Sequence, residues 1–139
     1  MNDKTKLRPQ EDYEYFRKRV RRWVDYFGLL DWSITTEFAE LEDGVCASSF
    51  VNSSVRSAML TLSTKLTAYD LPNAENKDYI LCKFAFHEVM HVLLGELSEA
   101  ADVGRTSYIT RPMEEAVIRR LENCVHVELL RLWAKEKEQ

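Results

Sequence analysis

Apolar side chains recur at steps of three and four residues in the first part of the chain. Between Pro9 and Gly28 the series consists of Tyr13, Phe16, Val20, Trp23, Val24 and Phe27. Because this spacing places side chains on one face of a helix, it predicts an amphipathic helix over residues 9–27. Proline suits the first turn of a helix and glycine a position just after its end, so both boundaries agree with the prediction.

A period of two replaces the helical spacing in the next part of the chain. Within residues 29–38 the alternating positions are occupied by Trp32, Ile34, Thr36 and Phe38. This alternation predicts a strand, and residues 45–51 and 55–63 have the pattern of two more. The turn Asn52-Ser53-Ser54 separates the last two, and the short connections favour a small, mostly antiparallel three-stranded sheet.

Two further helices are predicted in the second half of the chain. Residues 79–94 are apolar on nearly every side, which is typical of a buried helix, and Gly95 is expected to end it. Residues 96–111 are expected to form a loop. A last helix is predicted over residues 113–135, with an apolar stripe made of Val117, Ile118, Leu121, Cys124, Val125, Leu129 and Leu132.

The order of these elements predicts one α+β domain over residues 1–139. An N-terminal helix comes first, followed by the sheet, a central helix and a C-terminal helix. The chain has 139 residues, of which 45% are hydrophobic and 30% charged, as expected for a globular protein with its own core. Residues 1–8 and 136–139 are expected to be flexible.

The net charge, the polarity of the N-terminus and the cysteine spacing indicate which partners and which location to expect. The net charge of −4 argues against a nucleic-acid partner, and acidic residues are interleaved with the basic cluster at residues 17–22, which is expected to be a solvated helix face. The polar N-terminus carries no signal core, and no long uncharged apolar segment suggests a membrane partner, so a cytoplasmic location is expected. The three cysteines show no CxxC spacing, and Cys82 is interpreted as a buried thiol.

The central helix carries the motif His87-Glu88-Val89-Met90-His91, which is an HExxH pattern. Histidines four residues apart leave the same face of a helix, about 6 Å apart along its axis, so both imidazoles can reach one metal ion. Nitrogen and carboxylate ligands suit Zn²⁺, and Glu88 is placed to act as the general base that activates water. Two core histidines are the alternative, but two of only three histidines in the chain lie in this motif.

A catalytic zinc site needs a third protein ligand. On a helical wheel of residues 113–135, Glu114 lies near the centre of the apolar stripe, where a carboxylate needs a compensating partner. Glu115 lies at the edge of the stripe and is the second candidate, ahead of Asp102 and Glu99. His126 is a poor candidate, because the same wheel turns it roughly 130° away from the stripe.

These motifs resemble those of small gluzincins, in which a glutamate on a later helix follows the HExxH helix. More narrowly, the chain is similar to short phage and prophage HExxH proteins classed as metallopeptidases, in three segments: 31–34, 87–94 and 114–122. The resemblance implies a zincin-like fold and a zinc-dependent peptidase that cleaves a protein or peptide. It also implies that an extended substrate pairs with a strand within residues 45–63.

The sequence departs from larger relatives in two respects. Metzincins would need glycine and histidine at the positions of Leu94 and Leu97, and larger gluzincins often have an aspartate where this chain has Ile118. Support for the metal ligands must therefore come from another residue. For the developing oxyanion, Tyr108 is the candidate, with Arg105 and Arg111 as alternatives.

Two other functions are compatible with the same sequence. The first is a catalytically silent zincin-fold module or regulator that binds a host protein. The second is a regulator that contacts nucleic acid through the basic cluster at residues 17–22.

Overall fold

The computed structural model describes residues 6–68, 70, 76–102 and 107–137, and it confirms the α+β class. One helix precedes a three-stranded sheet, and the remaining elements are helical. The elements are α1 (Gln10–Tyr26), β1 (Ser33–Ala39), β2 (Ala47–Asn52), β3 (Ser57–Ser63), α2 (Lys77–Asp102), α3 (Ser107–Leu121), a π-helical segment (Glu122–His126) and α4 (Val127–Lys137).

Helix α1 lies within one residue of its predicted bounds at each end. Glu11 and Asp12 occupy its first turn, where carboxylates interact favourably with the positive end of the helix dipole. Its apolar stripe packs on α2, and the ring of Trp23 lies edge-on to Phe86 with centroids 4.9 Å apart. Gly28 follows with a φ of +68°, a left-handed conformation that glycine adopts without strain.

The sheet is mixed, with the strand order β1-β3-β2. The predicted antiparallel hairpin is present between β2 and β3, with Ala47 opposite Leu62. However, β1 pairs with β3 in parallel, so the expectation of a mostly antiparallel sheet holds for one of the two pairings. The parallel pairing is possible because the whole of β2 lies between β1 and β3 in the chain, which provides the long connection that parallel strands need.

Helix α2 is longer than predicted, because it continues through Gly95 to Asp102. The prediction that Gly95 ends the helix was therefore wrong, as was the prediction of a loop over all of residues 96–111. A Cβ at Gly95 would lie 2.9 Å from Cγ1 of Val51 and 3.2 Å from Oγ of Ser53. This glycine allows the end of β2 to approach α2 closely, which is a packing requirement rather than a stop signal.

The last predicted helix is interrupted by the π-helical segment Glu122–His126. Its wider turn changes which side chains face inward afterwards. Val117, which was predicted to be buried but precedes this segment, is 44% exposed, so the predicted stripe is misplaced in α3 as well. Leu132, also predicted to be buried, is 53% exposed, and Cys124 is exposed, whereas His126 is fully buried. The prediction that His126 points away from the core was therefore wrong. The residues that do face inward are Ile118, Glu122, His126, Leu129 and Trp133.

The residues just before α1 are held against the sheet. Leu7 forms a β-bridge with Lys65, and the Arg8 side chain donates to the carbonyl oxygen of Ser63 at 2.9 Å. Arg8 also pairs with Asp70 at 2.9 Å and with Asp12 at 3.5 Å. Of the terminal residues expected to be flexible, residues 6–8 are therefore anchored and residues 136–137 belong to α4, while residues 1–5 and 138–139 lie outside the described part. Among the described helices, none has the length and apolar character needed to cross a bilayer.

Candidate metal centre

Helix α2 presents His87 and His91 on the face that lines a cleft beside β2 and α3. Their rings have centroids 5.0 Å apart, and their Nε2 atoms are 3.2 Å apart. Because the two Nε2 atoms converge, the arrangement predicted from the four-residue spacing is present in the fold.

Glu115 of α3 brings a carboxylate to the same point. One oxygen lies 3.2 Å from Nε2 of His87, and the other lies 2.8 Å from Nε2 of His91. The three groups can offer ligand atoms that all lie within 4.8 Å of one another. Two imidazole nitrogens and one carboxylate are a donor set that fits Zn²⁺ with a position left open for substrate or water.

Glu114, the first candidate for the third ligand, contacts the other side of His91. One of its carboxylate oxygens meets Nδ1 of His91, and the other accepts the Ser98 hydroxyl. Nδ1 is the ring nitrogen that faces away from the point where the Nε2 atoms converge. The geometry therefore favours Glu115 as the ligand and places Glu114 behind His91, where it fixes the ring.

The helical wheel correctly predicted that the Glu114 side chain faces inward, because it is 12% exposed whereas that of Glu115 is 39% exposed. The burial of Glu114 comes from packing against His91 and Ser98, so burial alone does not identify the residue that faces the converging Nε2 atoms. The buried face of α3 meets the back of the histidine, and the edge of that face meets the cleft. Of the two glutamates, the half-exposed Glu115 is therefore the one whose carboxylate faces the cleft beside both Nε2 atoms.

His87 has an equivalent partner that the sequence did not suggest. Its Nδ1 lies 2.5 Å from Oε1 of Glu122, and Oε2 of Glu122 lies 3.5 Å from Nζ of Lys83. Burial raises the pKa of Glu122, but the hydrogen bond to His87 and the charge of Lys83 outweigh it, and the net pKa is lowered. Burial lowers the pKa of His87, but its bond to Glu122 and the nearby carboxylates raise it overall.

Glu88 lies on the wall of the same cleft and is 6% exposed. Burial raises the pKa of this carboxyl, against the opposing effects of His87, His91 and a hydrogen bond with Ser49. A raised pKa makes a carboxylate a better proton acceptor, which is the property that a general base requires.

The cleft has a volume of about 490 Å³ and is bounded by three elements. Strand β2 forms one wall, α2 forms the floor with its two histidines, and α3 contributes the two glutamates. Glu99 lies farther along α2, where its carboxylate accepts the backbone N–H of Ser53 at 3.3 Å. The residues that line the cleft are Ala47, Ser48, Ser49, Val51, His87, Glu88, His91, Gly95, Ser98, Glu99, Glu114 and Glu115.

The side chains of Tyr108, Arg111 and Asp102, and all of Arg105, are outside the described part of the structure. Cys82 is 1% exposed, and burial raises the pKa of its thiol to about 11, which agrees with its interpretation as a buried thiol.

No protein-family model matches this chain, and comparison with curated proteins and with solved structures also gives no match. The geometry of the cleft and the chemistry of its residues are therefore the basis for inferring a function.

Proposed function

We propose that this protein is a zinc-dependent peptidase in which His87, His91 and Glu115 hold the metal and Glu88 is the general base. The observation that carries the proposal is the convergence of two Nε2 atoms and the Glu115 carboxylate beside the buried carboxyl of Glu88. When bound, Zn²⁺ acts as a Lewis acid and lowers the pKa of water, which supplies a nucleophile at neutral pH.

Glu88 performs the proton transfers in this proposal. It accepts a proton from water as the water oxygen bonds to the carbonyl carbon of the substrate. It then gives that proton to the amine nitrogen as the C–N bond breaks. The short carboxylate contacts behind His87 and His91 keep both rings fixed during these steps.

The cleft wall suits an extended peptide. Among the described strands, β2 has a neighbour on one side alone, because β3 lies between it and β1. The backbone of an edge strand can bind a peptide by adding it to the sheet, and this strand lies directly beside Glu88 and the two histidines. We therefore propose a protein or peptide as substrate.

We also propose that the protein acts in the cytoplasm. Its three cysteines are all free thiols, as is usual in a reducing compartment. Recovery of the native protein in a secreted or membrane fraction would contradict this location.

The test combines metal content with hydrolysis of a fluorescence-quenched peptide library. We expect one zinc per chain in the wild type and in Glu88→Gln, and a hydrolysis rate in Glu88→Gln that is lower by roughly 10²- to 10⁴-fold. Glu115→Ala should lose the metal. The matched control is Glu128→Gln, because Glu128 is an exposed glutamate that pairs with Arg131 on α4, and this variant should behave as wild type.

Each unfavourable outcome has a distinct meaning. Undiminished turnover by zinc-loaded Glu88→Gln would remove Glu88 from the mechanism. A wild-type protein that takes up no zinc when it is offered would end the proposal. A wild-type protein that binds zinc but cleaves no peptide would instead indicate the catalytically silent binding module.

A further inference from the structure

Glu122 connects the π-helical segment to the metal centre. It is 8% exposed, and its two carboxylate oxygens are directed at two residues of α2 that lie one turn apart. Oε1 is 2.5 Å from Nδ1 of His87, and Oε2 is 3.5 Å from Nζ of Lys83. A buried carboxylate with both oxygens near donors is held in one orientation.

The tautomer of His87 follows from this contact. An ionised carboxylate is only an acceptor, so Nδ1 of His87 must carry the proton and donate it to Glu122. In the neutral imidazole the lone pair is then on Nε2, the atom that converges with Nε2 of His91 and the Glu115 carboxylate. This is the tautomer that a metal requires from Nε2 of a neutral imidazole.

Glu122 is the first residue of the π-helical segment and faces inward together with the residues four positions before and after it. Ile118, Glu122 and His126 are four residues apart and are 0%, 8% and 0% exposed. In a regular α-helix each four-residue step turns about 40° away from the starting direction, because each residue turns about 100°. The wider turn of a π-helix reduces this drift, so all three side chains face inward together.

We propose that Glu122 is a positioning residue for the metal site, which fixes the tautomer and orientation of His87 and is itself held by Lys83. This inference rests on the proposed metal site. The alternative is a structural role, in which the Lys83–Glu122 ion pair only attaches the π-helical segment to α2.

Glu122→Gln separates the two roles, because it retains the shape of the side chain and removes its charge. For a positioning role we expect zinc affinity, measured by competition with a chelator, to fall about 10- to 100-fold. The visible absorption spectrum of the Co²⁺-loaded protein should shift as the ligand field at His87 changes. Glu128→Gln, the same substitution at an exposed ion pair, should alter neither measurement.

The outcomes distinguish this inference from the proposed function. Wild-type zinc affinity and an unchanged Co²⁺ spectrum in Glu122→Gln, with only a lower melting temperature, would leave Glu122 a structural role and overturn the inference alone. A wild-type protein without any zinc affinity would overturn both. If Glu122→Gln does not fold, Glu122→Asp retains the charge on a shorter side chain, and wild-type affinity and spectrum in that variant would likewise overturn the inference.

Discussion

His126 is a buried histidine that should make the fold sensitive to acid. Its ring lies between Phe86 and Trp23, with centroids 5.1 and 5.6 Å away, and is fully buried. Within the described part of the chain, neither ring nitrogen has a hydrogen-bond partner. Burial lowers the pKa of His126 from its usual 6.5 to about 4, although the charge of Glu122 opposes the shift.

The size of the effect follows from this pKa difference. Between pH 6.5 and pH 4 the unfolded chain binds a proton at this position that the folded chain excludes, so acid favours unfolding. Each unit of pKa difference corresponds to about 1.4 kcal/mol, and the whole shift therefore amounts to about 3 kcal/mol. This stability is fully present above pH 6.5 and is lost as the pH falls to about 4.

The perturbation is His126→Phe, which retains an aromatic ring and removes the titrating group. Urea unfolding of both proteins should be followed from pH 7.5 to pH 4 with a chelator present, so that release of a metal does not contribute. We expect the stability of the wild type relative to the variant to fall by about 3 kcal/mol over this range. Other groups titrate in both proteins and largely cancel in the difference. A difference that does not change with pH would refute the reasoning, because His126 would then titrate equally in both states.

Two further predictions concern packing and buried charge. Gly95→Ala should destabilise the fold by about 1–2 kcal/mol in denaturant unfolding, because its Cβ would meet Val51. The same substitution in a Val51→Ala chain should lose much less stability, and an equal loss with Val51 and with Ala at that position would contradict the steric explanation. Arg8→Met should lower the free energy of unfolding by about 3 kcal/mol, because it removes a cation that is paired with the buried carboxylates of Asp12 and Asp70. A decrease below about 1 kcal/mol would show that Lys77 alone compensates the charge of Asp12.

Local patterns were sufficient to predict the elements that depend on neighbours in the sequence. The helix containing Trp23, the alternation around Ile34 and the common face of His87 and His91 all follow from the periods of helix and strand. The fold class could be predicted for the same reason, because it is set by the order of these elements.

The remaining features depend on contacts between distant segments. Gly95 has the appearance of a helix stop, and only the approach of Val51 shows why glycine is needed within the helix. A regular helical wheel has no means of representing a π-helical turn, so it placed His126 outside the core. It also did not show that Glu114 meets the back of His91 while Glu115 reaches the cleft, because that depends on where α3 packs on α2.

The strand order β1-β3-β2 has a consequence for the order of folding. β2 and β3 are joined by the short turn at residues 53–56, so their pairing costs little chain entropy, whereas β1 must reach β3 across the whole of β2. Strand β2 is therefore expected to pair with β3 before β1 joins the sheet and before the three residues proposed as metal ligands are brought together. Amide protection should then appear early in β2 and β3 during refolding. In that interval the edge of β2 that has no partner among the described strands is open to pairing with another chain. The edge proposed to bind a peptide substrate is thus also the edge most prone to self-association.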